Sequence, residues 1–126
     1  MHALVQKAIE ARKQTYSPYS KFAVGVALEA ETGEVITGTN VENASYGLSI
    51  CAERVALVKA VSQGIKKFKR MAVVADTPGP VAPCGMCRQM LTEFSPNLEL
   101  ILSNLKGQTE MVCLNELLPK AFRLEL

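Results

Sequence analysis

Histidine is almost absent from this chain, with one residue in 126, at position 2. A metal site built here has to draw on cysteine and carboxylate, because His2 sits in what should be a loose N-terminus. Charge excess is lacking too. Fourteen Lys and Arg against twelve Asp and Glu leave a formal charge of +2, so a nucleic-acid partner is not expected. No apolar run approaches the roughly 20 residues of a membrane span, and a membrane partner is not expected either. The opening residues, Met-His-Ala-Leu-Val-Gln-Lys, are too polar for a signal peptide, which makes the cytoplasm the expected location. No internal repeat, linker or low-complexity segment interrupts the chain. What remains is an ordinary globular composition, 48% hydrophobic and 21% charged, long enough for one domain over residues 1–126 with a real core.

What is present is cysteine. Four in a chain of this size could form two disulfides, but in a leaderless protein the spacing Cys84-x-x-Cys87 favours metal or redox chemistry. Cys51-Ala52-Glu53-Arg54 and Pro83-Cys84-Gly85-Met86-Cys87 therefore organise the reading.

The elements around them follow from periodicity. Leu4, Val5, Ala8, Ile9 and Arg12 recur at helical spacing over residues 3–15, and Pro18 stops that helix. Phe22 to Ala30 alternates as a strand, a turn follows at Glu31 to Glu34, and Val35 to Thr39 returns as the second strand of a hairpin. After a polar loop, Asn40 to Ser49, a helix is predicted from Cys51 to Gln63, with Gly64 at its C-cap. Met71 to Ala75 is continuously apolar, as a buried central strand should be. Thr77 to Pro83 is loop, Cys84 to Phe94 a second long helix, and Leu98 to Leu102 a strand. Ser103 to Gln108 is too short for a crossover helix, so Thr109 to Cys113 should run antiparallel to the strand before it. Asn115 to Leu118 makes a short last helix, ended near Pro119. The expected fold is a three-layer α/β/α sandwich with a mixed five-stranded sheet.

On that frame Cys51 and Cys84 each open a helix, and Cys87 lies one turn further along the second. Residues three apart share a helix face, so Cys84 and Cys87 can grip one ion. Helix N-termini favour thiolate over thiol. Three ligands leave the fourth position of a zinc ion for water, the mark of a catalytic rather than a structural site. Three thiolates against a divalent cation still carry a net −1, and Arg54, donating to them, would restore Lewis acidity. Alone, Glu53 would read as a solvated residue in a helix's first turn. Beside these cysteines it is the acid/base candidate, able to take a proton from water and return it to substrate.

Cys-Ala-Glu followed by Pro-Cys-x-x-Cys is the three-cysteine form of the zinc nucleobase-deaminase signature. The likeness runs along nearly the whole chain: Tyr16 to Gly25, Gly38 to Tyr46, Cys51 to Arg54, Pro83 to Gln89 and Leu117 to Pro119 all resemble the small homotetrameric cytidine deaminases. Met86 departs, where many members have alanine.

The resemblance implies a nucleoside substrate and one zinc per chain, held by Cys51, Cys84 and Cys87. It implies hydrolysis of cytidine and 2′-deoxycytidine to the uridines and ammonia, as in pyrimidine salvage. Glu53 would protonate N3 and then the leaving amine. The Ala52 amide would hold the base oxygen, Phe22 would pack on the base, and Asn40 and Glu42 would hold the ribose 3′-hydroxyl. Tyr46 and Phe122 would be lent to neighbouring subunits of a homotetramer. Without the resemblance Phe22 reads as core, and Asn40 and Glu42 as loop caps. A carboxylate at the ribose repels a nearby phosphate, which argues for free nucleosides.

Other readings remain open at this point. A deaminase of a modified cytosine nucleoside such as blasticidin S shares the zinc motif, and the set Phe22, Asn40 and Glu42 separates the two. A structural zinc site would need Cys113 or His2 as a fourth ligand; Cys113 reads better as a small buried hydrophobe. A thioredoxin-like pair at Cys84 and Cys87 would leave Cys51 unexplained. The basic run Lys66 to Arg70 reads as a solvated edge, and Arg88 receives no role.

Overall fold

The computed structural model describes residues 2–124. One five-stranded sheet, in the order β2-β1-β3-β4-β5, divides the molecule. Strands β1 (Val24–Ala30) and β2 (Val35–Thr39) form the hairpin, and β1 also pairs antiparallel with β3 (Phe68–Ala75). The only parallel pair of sheet strands among the described residues joins β3 to β4 (Glu99–Asn104); β5 (Thr109–Cys113) returns antiparallel beside β4. The mixed sheet and its antiparallel last strand are as expected from the sequence. Strand β3, central and covered on both faces, carries the unbroken apolar run.

Helix α1 (Ala3–Arg12) covers one face, packing Leu4, Val5 and Ala8 against Ala27, Ala72, Val74 and Ile101. Helices α2 (Ala52–Ser62), α3 (Gly85–Phe94) and α4 (Leu114–Leu117) bring Ala56, Leu57, Leu91 and Leu114 to the cluster with Val26, Leu28, Met71, Val73 and Leu100. Alternate residues of β1, β3 and β4 enter opposite clusters, as period-two side-chain geometry requires.

Several boundaries differ from the sequence reading. Helix α1 ends at Arg12, because Tyr16 leaves it to pair with the 40–42 segment: its N–H donates to the Asn40 carbonyl and its carbonyl accepts from Glu42. His2 is no loose residue; its Nδ1 accepts from the Leu4 N–H and caps the helix. Strand β1 begins at Val24, which leaves Phe22 outside the sheet. Ser103 and Asn104 belong to β4 rather than to the connection. The short turn Tyr46–Leu48 within the polar loop is 3₁₀, which periodicity did not reveal. Arg70 is also no solvated edge residue. It lies on central β3 between Glu29 of β1 and Glu99 of β4, with charge pairs to both (3.2 and 3.5 Å).

Two glycines let the helices approach. A Cβ on Gly25 would lie 1.9 Å from the Ala8 carbonyl oxygen of α1. One on Gly38 would lie 2.6 Å from the Ala56 nitrogen and 2.7 Å from the Ala52 oxygen of α2. Gly38 thus sets how closely the first turn of α2 sits on the sheet.

Candidate active site

Three thiols meet where α2 and α3 begin. Cys51 is the N-cap of α2, Cys84 the N-cap of α3, and Cys87 lies in the first turn of α3. All four cysteines are free thiols, and the Sγ atoms of Cys51, Cys84 and Cys87 lie within 4.8 Å of one another. The Cys51–Cys84 and Cys84–Cys87 separations are 3.9 and 3.3 Å. With Zn–S bonds of about 2.3 Å, a tetrahedron has edges of about 3.8 Å. The triangle fits one zinc ion per chain. Cys113 caps α4 and lies outside the cluster, which among the described residues is the only group of potential ligands, so no fourth protein ligand closes the site.

The first N–H groups of α2 and α3 have no intrahelical partner, so both helix ends turn positive charge toward the thiols. A hydrogen bond from the Cys87 thiol, working against burial and helped by Arg54, brings Cys51 down to about 5. Cys87 moves the opposite way, since it holds the proton that Cys51 uses and is itself buried. Arg54 donates through Nη2 to the Ser49 carbonyl (3.1 Å). Its buried Nε has no acceptor among the described residues, and its positive charge lies beside the Cys51 thiol.

Glu53 is 5% exposed, an unusual burial for a carboxylate. Burial lifts its carboxyl from 4.5 to about 7, and charge on Cys51 adds to the rise; its own backbone N–H, the Cys87 thiol and Arg54 partly offset it. The group is poised to exchange protons near neutrality.

A cleft of about 250 Å³ opens onto this corner, lined by Phe22, Asn40, Glu42, Ala52 and Glu53 with Cys51 and Cys84. It lies beyond the C-terminal end of β3, where open α/β sheets bind ligands. Phe22 is an exposed wall here rather than core. Tyr46 lines an adjoining cleft of about 290 Å³ with Tyr19, Ser20, Glu42 and Ser49, and meets Tyr19 edge-on. Phe122 lines neither. Tyr46 and Phe122 are 75% and 71% exposed.

Sequence reasoning missed the brackets that hold these parts. Asn40 Oδ1 accepts from the Val24 N–H (2.9 Å) and the Thr15 hydroxyl (2.8 Å), while its Nδ2 donates to the Phe22 carbonyl (2.7 Å). Those partners settle which way the amide points and leave one N–H for the cleft. Arg88 donates to the Pro83 carbonyl (2.8 Å) and the Leu117 carbonyl (2.9 Å), tying the residue before Cys84 to α4. Gln89 holds the Phe122 carbonyl (2.9 Å), so the tail beyond Pro119 rests on the helix that carries Cys87. The only advance signal for Arg88 and Gln89 was their place directly after Cys87.

Comparison with known proteins places this geometry. Residues 1–101 match the family model described as the cytidine and deoxycytidylate deaminase zinc-binding region. A cytidine deaminase of Sporosarcina psychrophila is 51% identical over 123 residues, 97% of this chain and 90% of the relative. The 1.6 Å crystal structure of cytidine deaminase from Burkholderia pseudomallei superposes with a TM-score of 0.94 at 49% identity, covering 96% of this chain and 98% of that one. A blasticidin-S deaminase of Bacillus cereus is more distant, 31% identical over 92% of this chain and 87% of its own length.

Proposed function

The chain belongs to the cytidine and deoxycytidylate deaminase family, and from that premise we propose that it hydrolyses cytidine and 2′-deoxycytidine to uridine and 2′-deoxyuridine, releasing ammonia, as a step of pyrimidine salvage. The observation that carries this reading is the cleft floor, where a buried Glu53 stands beside three converging thiols at two helix N-termini.

Cys51, Cys84 and Cys87 would hold the zinc, with Arg54 drawing charge from the thiolates. Bound zinc supplies a Lewis acid that makes water acidic enough to ionise near pH 7. Glu53 takes the proton from the water that attacks C4 and passes it to N3 of the base. It then takes the remaining proton from the C4 hydroxyl and gives it to the exocyclic amine as C4=O forms and the C4–N bond breaks, so that water enters and ammonia leaves in balance. The Ala52 N–H, in the first turn of α2, is available to the base oxygen. Phe22 packs on the base. The remaining Asn40 N–H and the Glu42 carboxylate take the ribose 3′-hydroxyl. Glu42 is held below the usual carboxylate range by the Ser20 hydroxyl and the Ser20 and Tyr19 amides, so it is charged at neutral pH and opposes a phosphate there.

Tyr46 and Phe122, exposed on one chain, serve neighbouring subunits of a homotetramer in this reading. The whole of residues 1–126 acts as one deaminase unit, working in the cytoplasm. Among the described residues no helix is long and apolar enough to cross a membrane.

The test is zinc content, loss of cytidine absorbance and ammonia release, with cytidine, 2′-deoxycytidine, cytidine monophosphate and blasticidin S as substrates. Turnover of the two nucleosides by protein holding about one zinc per chain is expected. Zinc-loaded protein that leaves both untouched defeats the nucleoside assignment, and turnover of blasticidin S alone would replace it.

A further inference from the structure

The segment between Tyr19 and Phe22 takes up both oxygens of Glu42 and fastens Phe22 to the same point. The Tyr19 and Ser20 backbone N–H groups donate to Glu42 Oε1 (3.0 and 3.1 Å). The Ser20 hydroxyl donates to Glu42 Oε2, and its oxygen accepts the Phe22 N–H (3.0 Å). One hydroxyl therefore sits between the side chain facing the ribose and the residue facing the base. Lys21, which separates them, holds φ +60°, a left-handed conformation unfavourable for a residue with a side chain. Its N–H donates to the Ser17 carbonyl (3.1 Å), which closes the turn. A strained turn persists where surrounding contacts over-determine it, and the Ser20 hydroxyl supplies two of those contacts.

We propose that Ser20 is a positioning residue that fixes the Glu42 carboxylate for the ribose 3′-hydroxyl and joins it to Phe22, so that sugar and base recognition form one rigid unit. This rests on the reading of Glu42 as the acceptor of that hydroxyl. Without the hydroxyl, Glu42 keeps only two amide donors on one oxygen, and the Phe22 N–H loses its acceptor. A contact made equally in ground and transition states acts on KM and leaves kcat alone. The Ser20 effect should accordingly appear in KM, chiefly with substrates that carry a 3′-hydroxyl, and only slightly, through Phe22, with those that lack it.

The experiment compares wild type, Ser20→Ala, Ser20→Thr and Glu42→Gln on cytidine and 3′-deoxycytidine, with a ¹³C NMR titration of the Glu42 carboxyl. Ser20→Ala is expected to raise KM for cytidine about tenfold with kcat within twofold, to cost about twofold or less on 3′-deoxycytidine, and to be rescued by Ser20→Thr. The Glu42 midpoint should rise toward 4.5 in Ser20→Ala. Equal losses on the two substrates, or an unmoved Glu42 midpoint, overturn the proposal. Glu42→Gln tells the two failures apart. If it too loses equally on both substrates, the ribose reading has failed and this inference falls with it; if it loses on cytidine alone while Ser20→Ala does not, the ribose reading stands and the role of Ser20 is wrong.

Discussion

Asn40 and Glu42 both line the cleft, and both are held there by bonds to the protein. Asn40 gives its oxygen and one amide hydrogen to the protein, bridging the entry to β1, the Phe22 carbonyl and Thr15, and keeps one hydrogen for the cleft. Both the loop-cap reading and the substrate reading of this residue are therefore compatible with its geometry. Glu42 carries a consequence in pH. Its carboxyl is held below 4.5 by the Ser20 hydroxyl first, then by the Ser20 and Tyr19 amides and the charge of Lys21. A depressed native pKa means that the folded chain binds fewer protons than the unfolded one between the two values. The stability from this group is fully present above about 4.5 and is lost as pH falls through the lower, native value. A ¹³C titration should place the Glu42 midpoint below 4.5, with the Tyr19 and Ser20 amide resonances moving at the same pH; a midpoint at or above 4.5 contradicts the bracket. Little of this was legible in advance, because the partners lie 16 to 25 residues apart in sequence. The placement of Glu53 beside Cys51 and of Cys87 beside Cys84 was legible because each spacing falls within the first turn of one helix.

Helix α2 is placed by what it lacks beneath it. Its first turn carries Ala52 and Glu53, and it rests on Gly38 of β2 with no room for a Cβ. Backbone atoms, not flexible side-chain ends, occupy that space, so relief requires the helix to shift. Gly38→Ala should destabilise the fold by about 3 kcal/mol, the upper end for overpacking, and should speed zinc loss to a chelator as Cys51 leaves its place. Denaturant melts and chelator kinetics check this together; unaltered zinc retention would show that α2 is positioned from elsewhere. At this scale the sequence was most informative. β2 and β5 fell on their predicted residues, and α2 and α3 began one residue after Cys51 and Cys84. Phe22 was the instructive failure. Alternation carried it into the first strand, but the Ser20 and Asn40 bonds to its backbone turn it out to line the cleft.

Taken whole, the chain leaves Tyr46, Leu48, Met86 and Phe122 exposed and apolar, and Tyr46 lines the cleft that adjoins the thiol corner. Large exposed apolar groups near a cleft are what an assembly would cover. Sedimentation should give four times the 13.7 kDa of the chain. Phe122→Ala should keep zinc and the monomer fold, since the ring makes no core contact, while KM for cytidine rises about tenfold. A catalytically competent monomer would contradict the shared site. Neither the layer of α1 nor the hairpin of β4 and β5 touches the chemistry directly, but Asn104 at the end of β4 donates to the Thr77 carbonyl (2.9 Å) and steadies the loop leading to Cys84.

Whether Glu53 moves the protons at a zinc site held by three thiols and open at its fourth position is tested by one variant. Glu53→Gln keeps the size of the side chain and removes the titrating oxygen. It should retain about one zinc per chain and a normal melting curve, while kcat on cytidine falls at least 100-fold, the range of a lost general acid/base. A zinc-loaded variant that turns cytidine over within tenfold of wild type would contradict the account.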